Sequence, residues 1–243
     1  MAQFFEQERT YSDNRPRSNF IFLGYPYTPA IPKADYEGVI ADLEKEFPIR
    51  FWYFLDELTT DEMMRKVWRA ILRSDLAIFD VSDGNPNVAF ELGLAIAAQK
   101  RCMTLLKVGT KNPLGTADLG YAERAEYDSA TTLKAKIREI VLAKSSTLRV
   151  VKDLSYDLFD SSRPHTREEI VEATRLLLND VYTTKSASKA AARKYFFGDE
   201  RLGLQALTKL RELGVMEVKG VKRGAKWVFA PNWVTHDHEV AGA

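Results

Sequence analysis

The chain has 243 residues, of which 45% are hydrophobic and 28% charged, with a formal net charge of +1. Such values belong to globular proteins and exclude a disordered or collagen-like chain, and no apolar run is long enough to span a bilayer. Cys102 is the only cysteine, which excludes an internal disulfide and a cysteine-based metal cage, and His165, His236 and His238 read as surface residues, so no metal site is predicted.

Residues 1–18 read as an extension. They show no basic stretch leading into an apolar one, and the expectation is a cytoplasmic protein with no membrane partner. From residue 19 to 145 short apolar runs alternate with longer amphipathic ones. "NFIFLG" (19–24) is rich in β-branched and aromatic residues and stops at Gly24, as a buried strand does. "KADYEGVIADLEKEF" (33–47) repeats apolar residues at helical spacing. "IRFWYFL" (49–55) predicts a second strand, and "TTDEMMRKVWRAILRS" (59–74) a helix with Met64, Val67, Trp68, Ile71 and Leu72 on one face. "DLAIFD" (75–80) predicts a third strand, "PNVAFELGLAIAAQ" (86–99) a third helix and "CMTLLKV" (102–108) a fourth strand. "ERAEYDS" can hold a short edge strand before a last helix, "TTLKAKIREIVLA" (131–143). Strands and helices alternating at this spacing predict right-handed crossovers and a doubly wound α/β domain with a parallel sheet of about five strands.

Residues 146–165 break the rhythm: "KDLSYDLFDSSRPHT" is polar and turn-rich and predicts a linker. Residues 166–236 predict a smaller α+β domain. Thr166 and Glu169 make a capping box, two helices follow at 186–196 and 199–214, and two short strands flank the basic turn Val221–Gly224. Helix, helix, hairpin is the order of a winged helix-turn-helix. Arg201, Lys209, Lys222, Arg223 and Lys226 carry a basic excess suited to nucleic-acid phosphates, although the same module can dock a protein. Residues 237–243 read as a tail.

In an open parallel sheet, ligands bind beyond the carboxyl ends of the strands. Three strand ends here carry candidate site residues: Gly24, Tyr25, Pro26 and Tyr27 after the first, Asp56 and Glu57 after the second, and Asp80, Ser82, Asn85 and Asn87 after the third. Glycine permits close backbone approach, a tyrosine can stack on a flat base, and Ser82, Asn85 and Asn87 can hydrogen-bond a sugar or a phosphate. Asn85-Pro86 is a good helix start, with Asn87 the alternative cap.

The residue that needs explaining is Glu91, the single charge between Val88 and Ala98. A glutamate there is desolvated or faces a cleft; otherwise it caps backbone groups or pairs with Arg73 or Lys100. A carboxylate in a cleft lined by glycine and aromatic residues suits cleavage of a glycosidic bond, because the transition state places positive charge on the sugar ring. Glu91 and Asp80 are the catalytic candidates. For Asp80 the alternative is a turn former at the strand end.

The string D-V-S-D-G-N-P-N-V-A-F-E-L-G-L-A (80–95) resembles the signature of a nucleotide-processing group that includes nucleoside 2-deoxyribosyltransferases and bacterial Toll/interleukin-receptor-like domains. The resemblance implies a flavodoxin-like sheet over about the first 145 residues. It puts Glu91 on the family's catalytic glutamate, Asp80 on the acid closing the third strand, and Tyr25 and Pro26 on the first loop. Deoxyribosyltransferases carry a further aspartate and a G-T pair where this chain has Asn85 to Phe90. What the resemblance implies is therefore N-glycosidic cleavage of NAD or a related nucleotide, needing no cofactor, or nucleotide sensing without turnover, reported by the winged helix to DNA or a protein. Activation by self-assembly or by a partner protein, in antiphage defence or stress signalling, is implied in the same way.

Overall fold

The structure is a computed structural model and describes residues 19–26, 32–53, 60–110, 123–160, 164–220, 225–231 and 233, with residues 60–63 described by their backbone alone. The chain divides into two compact units, Met1–Ser145 and Ser146–Ala243. Among the described residues no helix is long and apolar enough to cross a membrane.

In the first unit the described elements run β1 (Phe20–Gly24), α1 (Lys33–Glu46), β2 (Arg50–Trp52), α2 (Thr60–Arg73), β3 (Leu76–Asp80), α3 (Pro86–Ala97), β4 (Cys102–Lys107), β5 (Glu123–Tyr127) and α4 (Ala130–Lys144). The five strands are parallel and ordered β2-β1-β3-β4-β5, so the doubly wound α/β reading of the sequence describes the fold. Strand order reverses between β1 and β3, the place where such sheets open a crevice at their carboxyl edge. Helices α1 and α4 pack together, as do α2 and α3, one pair on each face of the sheet. Strand β3 is buried along its whole length, which is why "LAIFD" reads as a continuous apolar run. At the open edge β5 exposes Glu123, Arg124 and Glu126, and these charges discourage pairing with another strand.

Alternation along the strands divides the side chains between the two faces. Phe22 and Gly24 of β1 and Ala77 and Phe79 of β3 point toward α2 and α3, while Ile21, Leu23, Ile78 and Asp80 point toward α1 and α4. Gly24 and Phe79 are direct cross-strand partners.

The second unit contains α5 (Ser146–Leu158), α6 (Arg167–Thr184), α7 (Lys189–Tyr195), α8 (Glu200–Glu212), β6 (Met216–Lys219) and β7 (Lys226–Phe229). Helix α6 starts at the Thr166–Glu169 capping box that the sequence predicts. The antiparallel β6–β7 hairpin is joined by a single bridge from Ala187 to Trp227. Gly203 of α8 lies so close to α7 that a side-chain Cβ would sit 2.9 Å from the carbonyl carbon of Ala192, so the approach of the two helices needs glycine there.

Residues 146–158 differ from the linker predicted for 146–165. Leu148, Val151, Leu154 and Leu158 recur at helical spacing and are buried, and the last three join the core of the second unit with Leu177, Leu207 and Trp233. The polar Asp160–Pro164 stretch directs attention to turn chemistry, yet the apolar stripe before it decides the local structure. A linker residue tolerates truncation, whereas Leu154→Ala is expected to destabilise the protein by about 2–4 kcal/mol, read from urea unfolding.

Candidate functional site

Helix α3 begins where the sequence predicts. The Asn85 side chain accepts hydrogen bonds from the backbone N–H of Asn87 (2.9 Å) and Val88 (3.3 Å), and Pro86 takes the first helical position. Asn85, not Asn87, is therefore the cap. The chain reaches it through a tight turn at Ser82–Gly84, in which Asp83 and Gly84 both take positive φ. This start places Val88, Leu92 and Ala95 in the core and leaves Phe90 45% exposed.

Glu91 stands in the second turn of α3, and its carboxylate lies over the bare backbone of Gly24. A Cβ built on Gly24 would come within 2.6 Å of Glu91 Oε2 and 2.9 Å of the Phe79 ring. The missing side chain of Gly24 is the space the carboxylate occupies. Glu91 is partly buried, and burial alone pushes its pKa up to about 7. It makes no hydrogen bond or ion pair to a described residue. Lys100 is engaged elsewhere: its Nζ donates to the carbonyls of Leu72 (2.5 Å) and Ser74 (2.9 Å) at the end of α2, and burial lowers its pKa to about 8.

Asp80 lies on the other face of the sheet. It is fully buried, and its carboxylate accepts hydrogen bonds from Tyr36 Oη of α1, from Tyr127 Oη of β5 (2.5 Å) and from the backbone N–H of Ser82 (2.9 Å). Burial first, and the Asp80 charge second, raise the pKa of both tyrosines. Tyr25 belongs to this cluster: it is buried and stacks on Tyr36 with ring centroids 4.1 Å apart. The Ser82 hydroxyl is also buried and accepts from the Lys107 backbone N–H at 2.7 Å.

The structure thus brings Glu91 together with Gly24, and Asp80 with Tyr25 and Ser82, and separates the two groups by the thickness of the sheet. Pro26 is buried, and Asn87 is exposed at the start of α3. Tyr27, Asp56 and Glu57 lie outside the described residues, as do Lys222 and Arg223. Sequence reading missed Tyr36 and Tyr127, which hold Asp80 from 44 and 47 residues away; no local motif marks them. Trp52 is a further residue on the Glu91 face. The ring stacks on Phe22 (5.3 Å, 21°), but it is half-buried, ends β2 at the carboxyl edge and shares the face of Glu91. Among the described residues no cluster of three or more His, Cys, Asp or Glu side chains is placed to hold a metal ion.

No protein-family model matches the chain, and no curated protein matches it. Among solved structures, the CMP N-glycosidase BcmB of Clostridium botulinum aligns with 49% of this chain and 98% of its own at 20% identity and a TM-score of 0.37.

Two outcomes follow from this geometry. Between pH 4.5 and about 7 the folded chain holds a proton on Glu91 that the unfolded chain has released, so this group removes stability as pH rises through that interval. Glu91→Gln is expected to be more stable than the parent by about 2–3 kcal/mol at pH 8 and equal to it below pH 4.5, measured by denaturant unfolding across pH. Gly24→Ala is expected to cost about 1–3 kcal/mol, with part of that cost recovered when Glu91→Ala is added, which a double-mutant cycle reads as coupling.

Proposed function

We propose that the first unit cleaves the N-glycosidic bond of a nucleotide or nucleoside, with Glu91 as the reacting carboxylate. The observation that carries the reading is the state of Glu91. It is a carboxylate set in an apolar helix, at the carboxyl edge of the sheet beside the strand-order switch, raised in pKa by burial and, among the described residues, tied to no base. A largely buried carboxylate with no partner among the described residues costs stability, and that cost supports reading Glu91 as a group kept for chemistry.

When the bond between the anomeric carbon and the base nitrogen breaks, its electron pair leaves with the base and positive charge develops on the sugar ring. The Glu91 carboxylate either stabilises that charge or adds to the anomeric carbon. Water then supplies the hydroxyl, and its proton neutralises the departing base or is released. In both forms Glu91 acts ionised. NAD would yield nicotinamide and ADP-ribose, and CMP would yield cytosine and ribose 5-phosphate. On this face Trp52 is the ring that supports the base, because Tyr25 is packed against Tyr36 on the opposite face. Asp80 acts as the anchor that fixes the ends of β3 and β5 against α1.

The test is release of free base from a panel containing NAD, CMP and 2′-deoxynucleosides, followed by chromatography. Glu91→Gln is expected to lose at least about 10³-fold in rate while remaining folded. The rate of the parent is expected to rise with pH through about 7, as Glu91 ionises. Recovery of every nucleotide intact, together with thermal stabilisation by one of them, would replace cleavage by sensing.

A further inference from the structure

The second unit carries a charge distribution that the chemistry of Glu91 leaves unused. Its cations fall into two settings. On α8, Arg201 and Lys209 line a groove of about 760 Å³ together with Asp157 and Asp160 from the end of α5 and the residues after it. Lys209 is already paired with Asp157 (3.7 Å) and Glu212 (3.0 Å). A phosphate entering this groove meets carboxylates as well as cations.

The hairpin and α7 are different. Lys219 and Lys226 are direct cross-strand partners, and both are exposed. Like charges placed directly opposite on a ribbon destabilise it unless a counter-charge is supplied. Within the described residues the carboxylate paired with them is Glu217, 3.2 Å from Lys219. The Ala187–Trp227 bridge sets Ser188, the cap of α7, beside Lys226, so the basic row continues into Lys189 and, one turn on, Arg193. Both are exposed, and Trp227 turns its ring inward to the core, leaving Lys226 on the outer side.

We propose that this row, Lys219–Lys226–Lys189–Arg193, docks the phosphate backbone of double-stranded DNA. Exposed cations on neighbouring backbone positions supply the counterion-release contribution that sequence-independent binding needs. A two-stranded antiparallel ribbon fits the wide major groove of B-form DNA, whereas the major groove of A-form RNA is too narrow to admit it. Single-strand binders stack bases on exposed aromatic rings; here Trp227 is buried, Tyr195 is partly buried beneath Lys194, and the exposed Phe197 ring after α7 is already stacked on His165. The assignment moves the contact away from Arg201 and Lys209, the α8 residues that the sequence singles out.

The experiment is fluorescence anisotropy of the full chain with a short labelled duplex DNA across a range of salt. Binding is expected to weaken linearly in log salt, and the Lys189→Gln, Lys219→Gln, Lys226→Gln triple variant is expected to bind at least about ten-fold more weakly, with a salt slope shallower by about 3. A charge-reversed pair, Arg201→Glu with Lys209→Glu, is expected to stay within about two-fold of the parent. Circular dichroism and unfolding midpoints are read for each variant, so that loss of fold is told apart from loss of contact. No binding by the parent at low salt, an unchanged triple variant, equal loss in the α8 pair, or stronger binding to RNA than to duplex DNA each overturns the proposal.

Discussion

Register between β1 and β3 decides what every acidic residue at the carboxyl edge can reach. Gly24 pairs with Phe79, and successive side chains of a strand leave on opposite faces, so Tyr25 and Asp80 must depart together toward α1 while Gly24 and Phe79 open toward α3. A slip of one residue would exchange the groups and put the Asp80 carboxylate among Phe22, Ile71 and Leu92. Such a slip would bury an unpaired charge in an apolar cluster, a cost of several kcal/mol that excludes the alternative.

Given that register, two carboxylates eleven positions apart meet opposite treatment. Asp80 is fully sealed, yet two tyrosine hydroxyls and a backbone N–H satisfy it, and such a network rigidifies what it joins. It links α1, β3 and β5, with Tyr25 stacked on the outside of Tyr36. Glu91 is less buried, and among the described residues it meets the bare backbone of Gly24 and no hydrogen-bond partner. The satisfied acid joins α1, β3 and β5; Glu91, largely buried with no partner among the described residues, is the group on which the proposed cleavage rests.

Most of the first unit was legible in the sequence because its signals are local. "NFIFLG" and "DLAIFD" announce buried strands, N-P-N announces the helix start, and an isolated charge in "VAFELGLAIA" announces Glu91. What the sequence could not show was which site residues share a face, since that depends on pairing between segments dozens of residues apart. Asp80 and Glu91 sit in one motif and look like partners until the strand pleat separates them. The partners of Asp80, Tyr36 and Tyr127, come from a helix and an edge strand with no motif of their own. Gly24 was legible as a place of close approach, but the group that approaches proved to be Glu91, visible only in three dimensions.

The same limit governs the second unit. A run of lysines and arginines read along the chain has a total charge but no direction, and by that measure Arg201 and Lys209 rank with Lys226. The fold separates them. Helix α5, assembled from a stripe of leucines and valines that turn-forming neighbours obscure, carries Asp157 to within 3.7 Å of Lys209. On the hairpin, the Lys219–Lys226 pairing concentrates like charge on adjacent strands. Coulomb energy depends on distance, so Asp157 and Glu212 together offset Lys209, whereas on the hairpin one carboxylate, Glu217, faces two paired lysines. Composition counts both groups alike, and only the placement of the acids gives the positive field a face.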